Sequence, residues 1–255
     1  MPDKIPLTCV VITKNEEARI EDCLKSVYGW VDEIIVVDDE SIDGTVKLAQ
    51  KYAGKVFIRH MDIEGRHRNW AYAQAKNNWV LSLDADERVS EELKEEIIRV
   101  MSKETVFSGF TIPRRNLLGN YWLRWGGQYP AAQLKLLRKD RFKWEEAQVH
   151  PRAFLDGRCG HLNGDIIHYS WRDFAQFFDK VNSQSTLEAK KWMYSGRKMS
   201  MLHAFWRAND RFFRKFIRKQ GYKDGFYGFI AAFSDSIYQI LSYAKYREMK
   251  KSKST

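Results

Sequence analysis

The strongest constraint on the fold is an alternation of short apolar runs with amphipathic helical stretches over residues 7–101. Strands are expected at residues 7–13, 33–37, 55–59 and 79–83. Helices are expected at residues 20–27, 45–52, 66–77 and 91–101, with Ser90 as the cap of the last. Strands that alternate with helices at this spacing predict an α/β domain, in which a mostly parallel central sheet carries helices on both faces. Ligands of such sheets bind at the carboxyl ends of the strands.

Acidic side chains follow two of these strands. Asp38 and Asp39 come directly after the second strand, and Asp84 and Asp86 come directly after the fourth. Carboxylates gathered at one sheet edge require a cation or hydrogen-bond donors, and a divalent cation held there would bridge the oxygens of a diphosphate. Two other interpretations stay open: Asp84 and Asp86 cap the next helix, or Asp38 and Asp39 belong to a solvated turn.

The polar segment after the first strand argues against two common nucleotide-binding folds. Residues 13–16 (TKNE) lack the glycine-rich loop that cradles phosphate in P-loop and Rossmann proteins. Residues 66–68 (RHR) precede the fourth strand and suit three roles: contact with phosphate, balance of the acidic clusters, or a basic surface turn. Their spacing does not decide between these roles.

Length and composition favour a folded chain over a disordered or disulfide-bonded one. At 255 residues with 44% hydrophobic side chains, the chain can bury a full core and still carry an appendage. Cys9, Cys23 and Cys159 have neither CxxC spacing nor an even count, so a disulfide framework or a structural zinc site has no support. The first residues lack the basic stretch and apolar run of a secretory signal, which predicts a cytoplasmic protein.

Positive charge is concentrated in the last quarter of the chain. Residues 197–255 hold 14 basic and 4 acidic side chains, which accounts for the whole net charge of +10 and predicts an anionic partner. Within 205–219, Arg and Lys interleave with aromatic residues as in a helix on a membrane surface. The apolar stripe in 225–244 has spanning length, but Asp235 near its middle argues against a span. A helical lid that packs this stripe on the core is the other interpretation.

Several motifs together resemble one enzyme family. They are 10–16 (VVITKNE), 36–45 (VVDDESIDGT), 68–71 (RNWA), 83–87 (LDADE), 129–130 (YP), 149–150 (VH), 168–170 (HYS) and 224–225 (DG). The chain resembles the family 2 inverting glycosyltransferases of GT-A fold, in particular the lipopolysaccharide core β-1,4-glucosyltransferase branch, over nearly its whole length. The resemblance implies a GT-A catalytic domain at 1–170, with a nucleotide-binding half at 1–100 and an acceptor-side half at 101–170. A basic, amphipathic helical extension would follow at 171–255.

The resemblance also implies the residues that bind a UDP-sugar donor. They are Thr13, Asn15, Glu16, Asp38, Asp39, Arg68, Asp84 and Asp86. Asp86 would hold a divalent metal, Mn²⁺ or Mg²⁺, and Asp84 would lie toward the ribose or the donor sugar. The reaction would be a single displacement with inversion at the anomeric carbon.

A single displacement needs a general base for the acceptor hydroxyl, on the face opposite the leaving diphosphate. Glu145 and Glu146 are the candidates, because both precede the 149–150 motif, where the family places acceptor-side residues. The sequence does not choose between them, and an exposed acidic loop is the alternative. The chain departs from common family residues at Glu40 (Gly or Ser), Lys135 (Arg) and Pro151 (Glu).

Together these expectations predict an enzyme that transfers a hexose onto an anionic cell-envelope glycolipid such as the lipopolysaccharide inner core. The expected hexose is glucose, and the expected donor is UDP-glucose. The protein would sit peripherally on the cytoplasmic face of the inner membrane through residues 197–250. The alternatives are a glycosyltransferase of another envelope polysaccharide with a different nucleotide-sugar, a nucleotidyltransferase, a non-catalytic membrane scaffold, and a nucleic-acid-binding protein that uses the basic aromatic tail. The last leaves the acidic clusters unexplained, so no nucleic acid is expected as a partner.

Overall fold

The structure is a computed structural model that describes residues 4–147 and 151–252. The strands in chain order are β1 Ile5–Thr13, β2 Val31–Asp38, β3 Lys55–Ile58, β4 Trp79–Asp84, β5 Glu87–Val89, β6 Phe107–Ile112, β7 Arg114–Leu118, β8 Tyr121–Trp122, β9 Gln133–Arg138, β10 Phe142–Trp144, β11 Ala153–Leu155, β12 Arg158–His161 and β13 Ile166–Trp171. The helices are α1 Ile20–Val27, α2 Thr45–Ala49, α3 Glu64–Ala73, α4 Glu91–Met101, α5 Phe174–Tyr194, α6 Met201–Phe213 and α7 Gly225–Ser252.

The chain divides into two compact units. The first comprises Met1–Arg114 and Ala132–His168, and the second comprises Arg115–Ala131 and Tyr169–Thr255. The first unit contains the sheet and α1 to α4, and the second contains α5 to α7.

A mixed sheet forms the centre of the first unit. Its strand order is β12-β6-β9-β4-β1-β2-β3 in the described part of the chain. β1 pairs in parallel with β2 and β4, and β2 pairs in parallel with β3, whereas β9 runs antiparallel to β4 and β6. Thr13 is in register with Asp38, and Ile12 is in register with Asp84, so the polar ends of β1, β2 and β4 meet at one edge.

Both faces of the sheet are buried under helices, as the sequence predicts for an α/β fold. Successive residues of a strand point to opposite faces. Cys9 and Val11 therefore join the core cluster that contains α1 and α4, whereas Val10 joins the cluster that contains Ala71 and Tyr72 of α3. β1 is buried from Leu7 to Val11 because it lies between two layers of helix.

The predicted elements match the structure best where the signal is local. Helix α4 spans the predicted residues, and the Ser90 hydroxyl accepts a hydrogen bond from the Leu93 N–H at 3.2 Å, which confirms the cap. Two other helices end earlier than predicted: α2 ends at Ala49 instead of residue 52, and α3 ends at Ala73 instead of residue 77. Asn77 lies outside α3, and its side chain donates hydrogen bonds to Thr8 and Asp32.

The second unit is a helical assembly in which α7 packs against α5 and α6. Most of the side chains that α7 buries are small or polar, including Gly228, Ala231, Ala232 and Ser234, and it also buries Tyr246. By contrast, Phe226 and Phe233 are exposed. Within the described residues, no helix combines the length and the hydropathy that a membrane span needs.

Gly164 permits the closest backbone approach to α4, and its replacement tests this packing. A Cβ at Gly164 would lie 2.4 Å from Leu93 Cα and 2.5 Å from Leu93 N. Because backbone atoms cannot yield as a side chain can, we expect Gly164→Ala to lower the free energy of unfolding by about 1–3 kcal/mol in urea denaturation.

Gly54→Ala is the matched control for that substitution. Its Cβ would meet only the Ile34 carbonyl oxygen at 3.9 Å, so we expect a change within ~0.5 kcal/mol. Equal losses in the two variants would contradict the proposed close packing at Gly164.

Candidate active site

The carboxyl ends of β1, β2 and β4 enclose a cavity of about 180 Å³. It is lined by Ile12, Thr13, Lys14, Glu16, Asp39, Met61, Asp84, Ala85 and Asp86. Five of the residues that the sequence assigns to the donor thus line one space, because parallel pairing brings three strand ends to the same edge.

Asp38 and Asn15, also assigned to the donor, make hydrogen bonds that shape the loop after β2. The buried Asp38 carboxylate accepts hydrogen bonds from the Ser41 N–H at 2.7 Å and the Ser41 hydroxyl at 2.5 Å. Asn15, at a φ of 53°, donates its N–H to Ser41 Oγ, and its Oδ1 accepts from the Ile42 N–H. Both residues lie beside the cavity without belonging to its described lining.

Asp39 presents an ionised carboxylate to the cavity. Lys14 Nζ lies 2.8 Å from Asp39 Oδ2, and the Met61 N–H donates to Oδ1 at 2.8 Å. Burial acts to raise the pKa of Asp39, but the bonds from Lys14 and Met61 outweigh it, and the pKa lies below its ordinary value. Asp39 can therefore accept hydrogen bonds from ligand hydroxyl or N–H groups at neutral pH.

Glu16 is positioned by an arginine and by α2. Arg19 donates to both carboxylate oxygens of Glu16, from Nε at 2.6 Å and from a terminal nitrogen at 2.7 Å. The Glu16 N–H donates to Thr45 Oγ1 at 2.8 Å. This fork holds the carboxylate rigidly at the cavity wall.

Asp84 lies in a cluster of charges that the sequence did not reveal. Its two carboxylate oxygens accept from Arg68 at 2.8 Å and from Lys135 Nζ at 3.0 Å. Lys135 Nζ also lies 2.6 Å from Glu87 Oε2, and the Glu87 side chain is fully buried. Burial acts to raise the pKa of Asp84, but the charges of Arg68 and Lys135 hold it well below its ordinary value. The sequence marks Lys135 only as a departure from the family and assigns Glu87 no role.

Asp86 faces a different partner from Asp84. His168 Nε2 lies 3.4 Å from Asp86 Oδ2, and both side chains are largely buried. Burial acts to raise the pKa of Asp86, but the hydrogen bond with His168 outweighs it and the pKa is lowered. His168 belongs to a motif that carries the family resemblance, yet nothing in the sequence joined it to Asp86, which is far away along the chain.

An ionised carboxylate beside an imidazole nitrogen is a ligand pair that suits a divalent transition metal. Asp86 and His168 fit this requirement, whereas the charge of Asp84 is already offset by two cations. Asp39, Glu40 and His60 also bring ligand atoms within 4.8 Å of one another. Asp39 already has Lys14 as its counter-charge, so the pair of Asp86 and His168 is the better match for a cation.

Residues 66–68 have three different environments in the structure, and their contact with phosphate stays a prediction. Arg66 is a surface residue that pairs with Asp62 and Glu146. His67 is buried, and its Nδ1 lies 2.8 Å from an Arg59 nitrogen. Arg68 balances the acidic cluster through Asp84.

Glu145 and Glu146 follow β10, which is fixed to α3 by paired hydrogen bonds between Asn69 and the Trp144 backbone. Glu145 is held by Arg152, which donates from two side-chain nitrogens at 2.9 and 3.1 Å. Glu146 pairs with Arg66 at 3.1 Å. Neither is among the described residues that line the cavity, and the 149–150 motif lies outside the described residues.

Removing Lys135 tests whether it stabilises the two carboxylates that it bridges. Lys135→Met leaves the fully buried Glu87 carboxylate without its closest cation, so we expect a loss of about 3–5 kcal/mol in the free energy of unfolding. Adding Glu87→Gln should recover part of that loss. Arg138→Met, on the same strand but paired with Asp140 at the surface, should cost no more than ~1 kcal/mol. A loss from Lys135→Met as small as that control would contradict this role.

Comparison with known proteins identifies the family. A family model described as glycosyl transferase family 2 matches residues 8–155. Lipopolysaccharide core biosynthesis glycosyltransferase LpsC of Rhizobium meliloti is 28% identical over 252 residues, covering 96% of this chain and 93% of LpsC. An uncharacterized glycosyltransferase of Rickettsia typhi is 29% identical over 255 residues, covering 95% and 87% of the two chains.

The fold has a solved counterpart at low sequence identity. It is the mannosyltransferase PcManGT from Pyrobaculum calidifontis, in complex with GDP-Man and Mn²⁺, with a TM-score of 0.57, 10% identity, and coverage of 96% of this chain and 88% of that one. The family model spans more than half of the chain, and the sheet, helices and strand-end cavity agree with it. The protein belongs to glycosyltransferase family 2 and has the GT-A fold.

Proposed function

We propose that the protein transfers a hexose, glucose from UDP-glucose, with inversion, onto an anionic cell-envelope glycolipid such as the lipopolysaccharide inner core. The observation that carries the proposal is the convergence of Thr13, Asp39, Asp84 and Asp86 on one cavity at the carboxyl ends of parallel strands. LpsC, whose name places it in lipopolysaccharide core biosynthesis, supports the acceptor class because the similarity covers nearly all of both chains.

The nucleoside would bind against the ends of β1 and β2. Thr13 Oγ1 is buried at the cavity wall and has no hydrogen-bond partner among the described residues, so it is available to a bound base. Asp39 and Glu16 would accept hydrogen bonds from the base and ribose. Asp38 and Asn15 would act in the same pocket by fixing the loop after β2.

The diphosphate would lie toward the end of β4. Asp86 with His168 would hold Mn²⁺ or Mg²⁺, and the metal would supply the positive charge that neutralises the leaving diphosphate. Arg68 and Lys135 keep Asp84 ionised and fixed, so that its carboxylate can orient the ribose or the donor sugar. PcManGT, a protein of the same fold, was solved with GDP-Man and Mn²⁺, which supports a nucleotide-sugar and a metal as the ligands proposed here.

The general base would come from the acceptor-side half, residues 101–170. Glu145 and Glu146 remain the proposed candidates. The bonds from Arg152 lower the pKa of Glu145, which keeps its carboxylate ionised but makes it a weaker base. Either residue would act on an acceptor hydroxyl that a bound glycolipid brings close to the donor sugar.

The positive charge of the basic extension supports the proposed acceptor and the proposed location. The basic extension, residues 171–255, would hold the protein on the cytoplasmic face of the inner membrane through residues 197–250, where an anionic glycolipid acceptor is available. Residues 1–100 would then bind the donor.

Calorimetric titration of nucleotides and nucleotide-sugars tests the donor and the metal together. We expect UDP and UDP-glucose to bind with Mn²⁺ or Mg²⁺, and Asp86→Asn to weaken binding at least about 10-fold, because the metal would lose a charged ligand. Asp140→Asn, a surface carboxylate paired with Arg138, is the matched control and should bind as wild type does.

Three outcomes of this titration would count against the proposal. Tight binding of UDP regardless of metal would remove the metal role. A chain that binds no nucleotide under any condition would not be a nucleotide-sugar transferase, and preference for another nucleotide-sugar in the panel would replace glucose as the donor.

Glu145→Gln and Glu146→Gln test the base. We expect one of them to lower kcat by about 10²–10⁴-fold with UDP affinity unchanged, because a base acts on the acceptor and not on the donor. The other variant serves as the matched control. If both variants keep wild-type kcat, the base lies elsewhere.

A further inference from the structure

The second unit carries a basic cavity of about 380 Å³ on helix α6. Its lining consists of Arg197, His203, Trp206, Arg207, Asp210, Arg211 and Arg214. Four guanidinium groups therefore share one small space with a single carboxylate. The donor site uses none of these residues.

Three of the four arginines of this cavity lack an ion-pair partner among the described residues. Arg197, Arg207 and Arg211 make no ion pair with any acidic side chain in residues 4–147 and 151–252. Arg214 pairs with Asp210 at 3.5 Å, a long contact on the exposed surface. Such a cluster repels itself, and a bound anion would relieve the repulsion.

Interior contacts fix two of these guanidinium groups in place. Arg207 Nε donates to the buried Gln239 Oε1 at 2.8 Å, and its guanidinium lies 5.9 Å from the Trp192 ring. The Arg211 guanidinium lies over the Tyr238 ring at 5.6 Å. Burial lowers the pKa of Arg207, and the charges of Arg211 and Arg197 lower it further, as expected for cations held close together. The cavity is thus organised before any anion arrives.

Apolar side chains beside the cavity are exposed in the second unit. Trp206 is 64% exposed and Leu202 is 80% exposed on the same helix. Phe205 and Phe213 of α6 are also exposed. A basic cavity bordered by exposed aromatic and aliphatic groups matches the headgroup and acyl region of a lipid bilayer, in which charge and apolar surface are adjacent.

We propose that the α6 cavity binds the phosphate group of a membrane lipid while the neighbouring Leu202 and Trp206 enter the acyl boundary. Guanidinium groups form paired, charge-assisted hydrogen bonds with phosphate oxygens, so the cavity distinguishes phosphate from other negative charge. This proposal rests on the proposed membrane location and gives it a defined site. It does not depend on which sugar is transferred.

The test measures sedimentation of the full-length protein with two kinds of phosphatidylcholine vesicle of equal surface charge, one containing phosphatidate and the other oleate. We expect wild type to bind the phosphatidate vesicles at least about 5-fold more tightly, because only phosphatidate offers the cavity a phosphate group that is not capped by choline. The pocket variant Arg197→Gln/Arg214→Gln should lose that preference. Both of its side chains are exposed, so folding should be retained, and circular dichroism checks this.

Arg218→Gln/Arg247→Gln is the control with the same loss of charge at exposed positions outside the cavity. It should keep the preference, although its overall binding to anionic vesicles weakens because two positive charges are lost. Equal behaviour of the two double variants, or no phosphatidate preference in wild type, would overturn the proposal. Strong binding of inorganic phosphate by calorimetry, together with equal binding to both vesicles, would assign the cavity to a soluble phosphate and also overturn the lipid assignment.

Titration of UDP-glucose into the same variants separates this proposal from the donor site. We expect unchanged affinity in both double variants. If UDP-glucose fails to bind even wild type, the proposed function fails while the phosphatidate preference can still stand.

Discussion

The bridge that Lys135 makes between Asp84 and Glu87 is the interaction on which the active-site edge depends. β4 ends in the half-buried Asp84, β5 begins with the fully buried Glu87, and like charges in a low-dielectric environment repel strongly. Lys135 enters from the antiparallel strand β9 and contacts both acids, with Arg68 on the other side of Asp84. β9 is inserted between β4 and β6, so the strand that breaks the parallel order of the sheet also delivers the cation that its acidic edge requires.

Local sequence patterns predicted the strands and helices of the first unit, but they did not predict which side chains pair across a long sequence separation. The apolar runs and the Ser90 cap depend on neighbouring residues, so strand positions and helix α4 followed from the sequence. Parallel pairing then predicted that the polar strand ends would meet, and the cavity confirms that for Thr13 and Asp84. Lys135 lies 51 residues from Asp84, and no periodicity connects them. The sequence likewise did not separate Arg66, at the surface, from Arg68, in the acidic cluster.

Helix α7 shows why an apolar stripe does not reveal which side of a helix is buried. The sequence places Phe226, Phe229 and Phe233 on a stripe, which by hydrophobicity alone would face a protein core. In the second unit the helix instead buries Gly228, Ala231, Ala232 and Tyr246, whereas Phe226, Phe229 and Phe233 are each at least 39% exposed. The buried side of α7 is therefore set by its contacts with neighbouring elements and not by the position of its apolar stripe.

Asp84 and Asp86 illustrate how one short motif supplies two different carboxylates. Asp84 is the last residue of β4 and faces Arg68 and Lys135, whereas Asp86 lies in the following turn and faces His168. A divalent cation placed at Asp84 would be repelled by two fixed positive charges, but at Asp86 it would meet an imidazole that can itself be a ligand. The two carboxylates therefore suit the two roles proposed for them, one orienting a hydroxyl and the other binding a cation. This division depends on β9 and on the start of β13, two elements that lie well outside the motif.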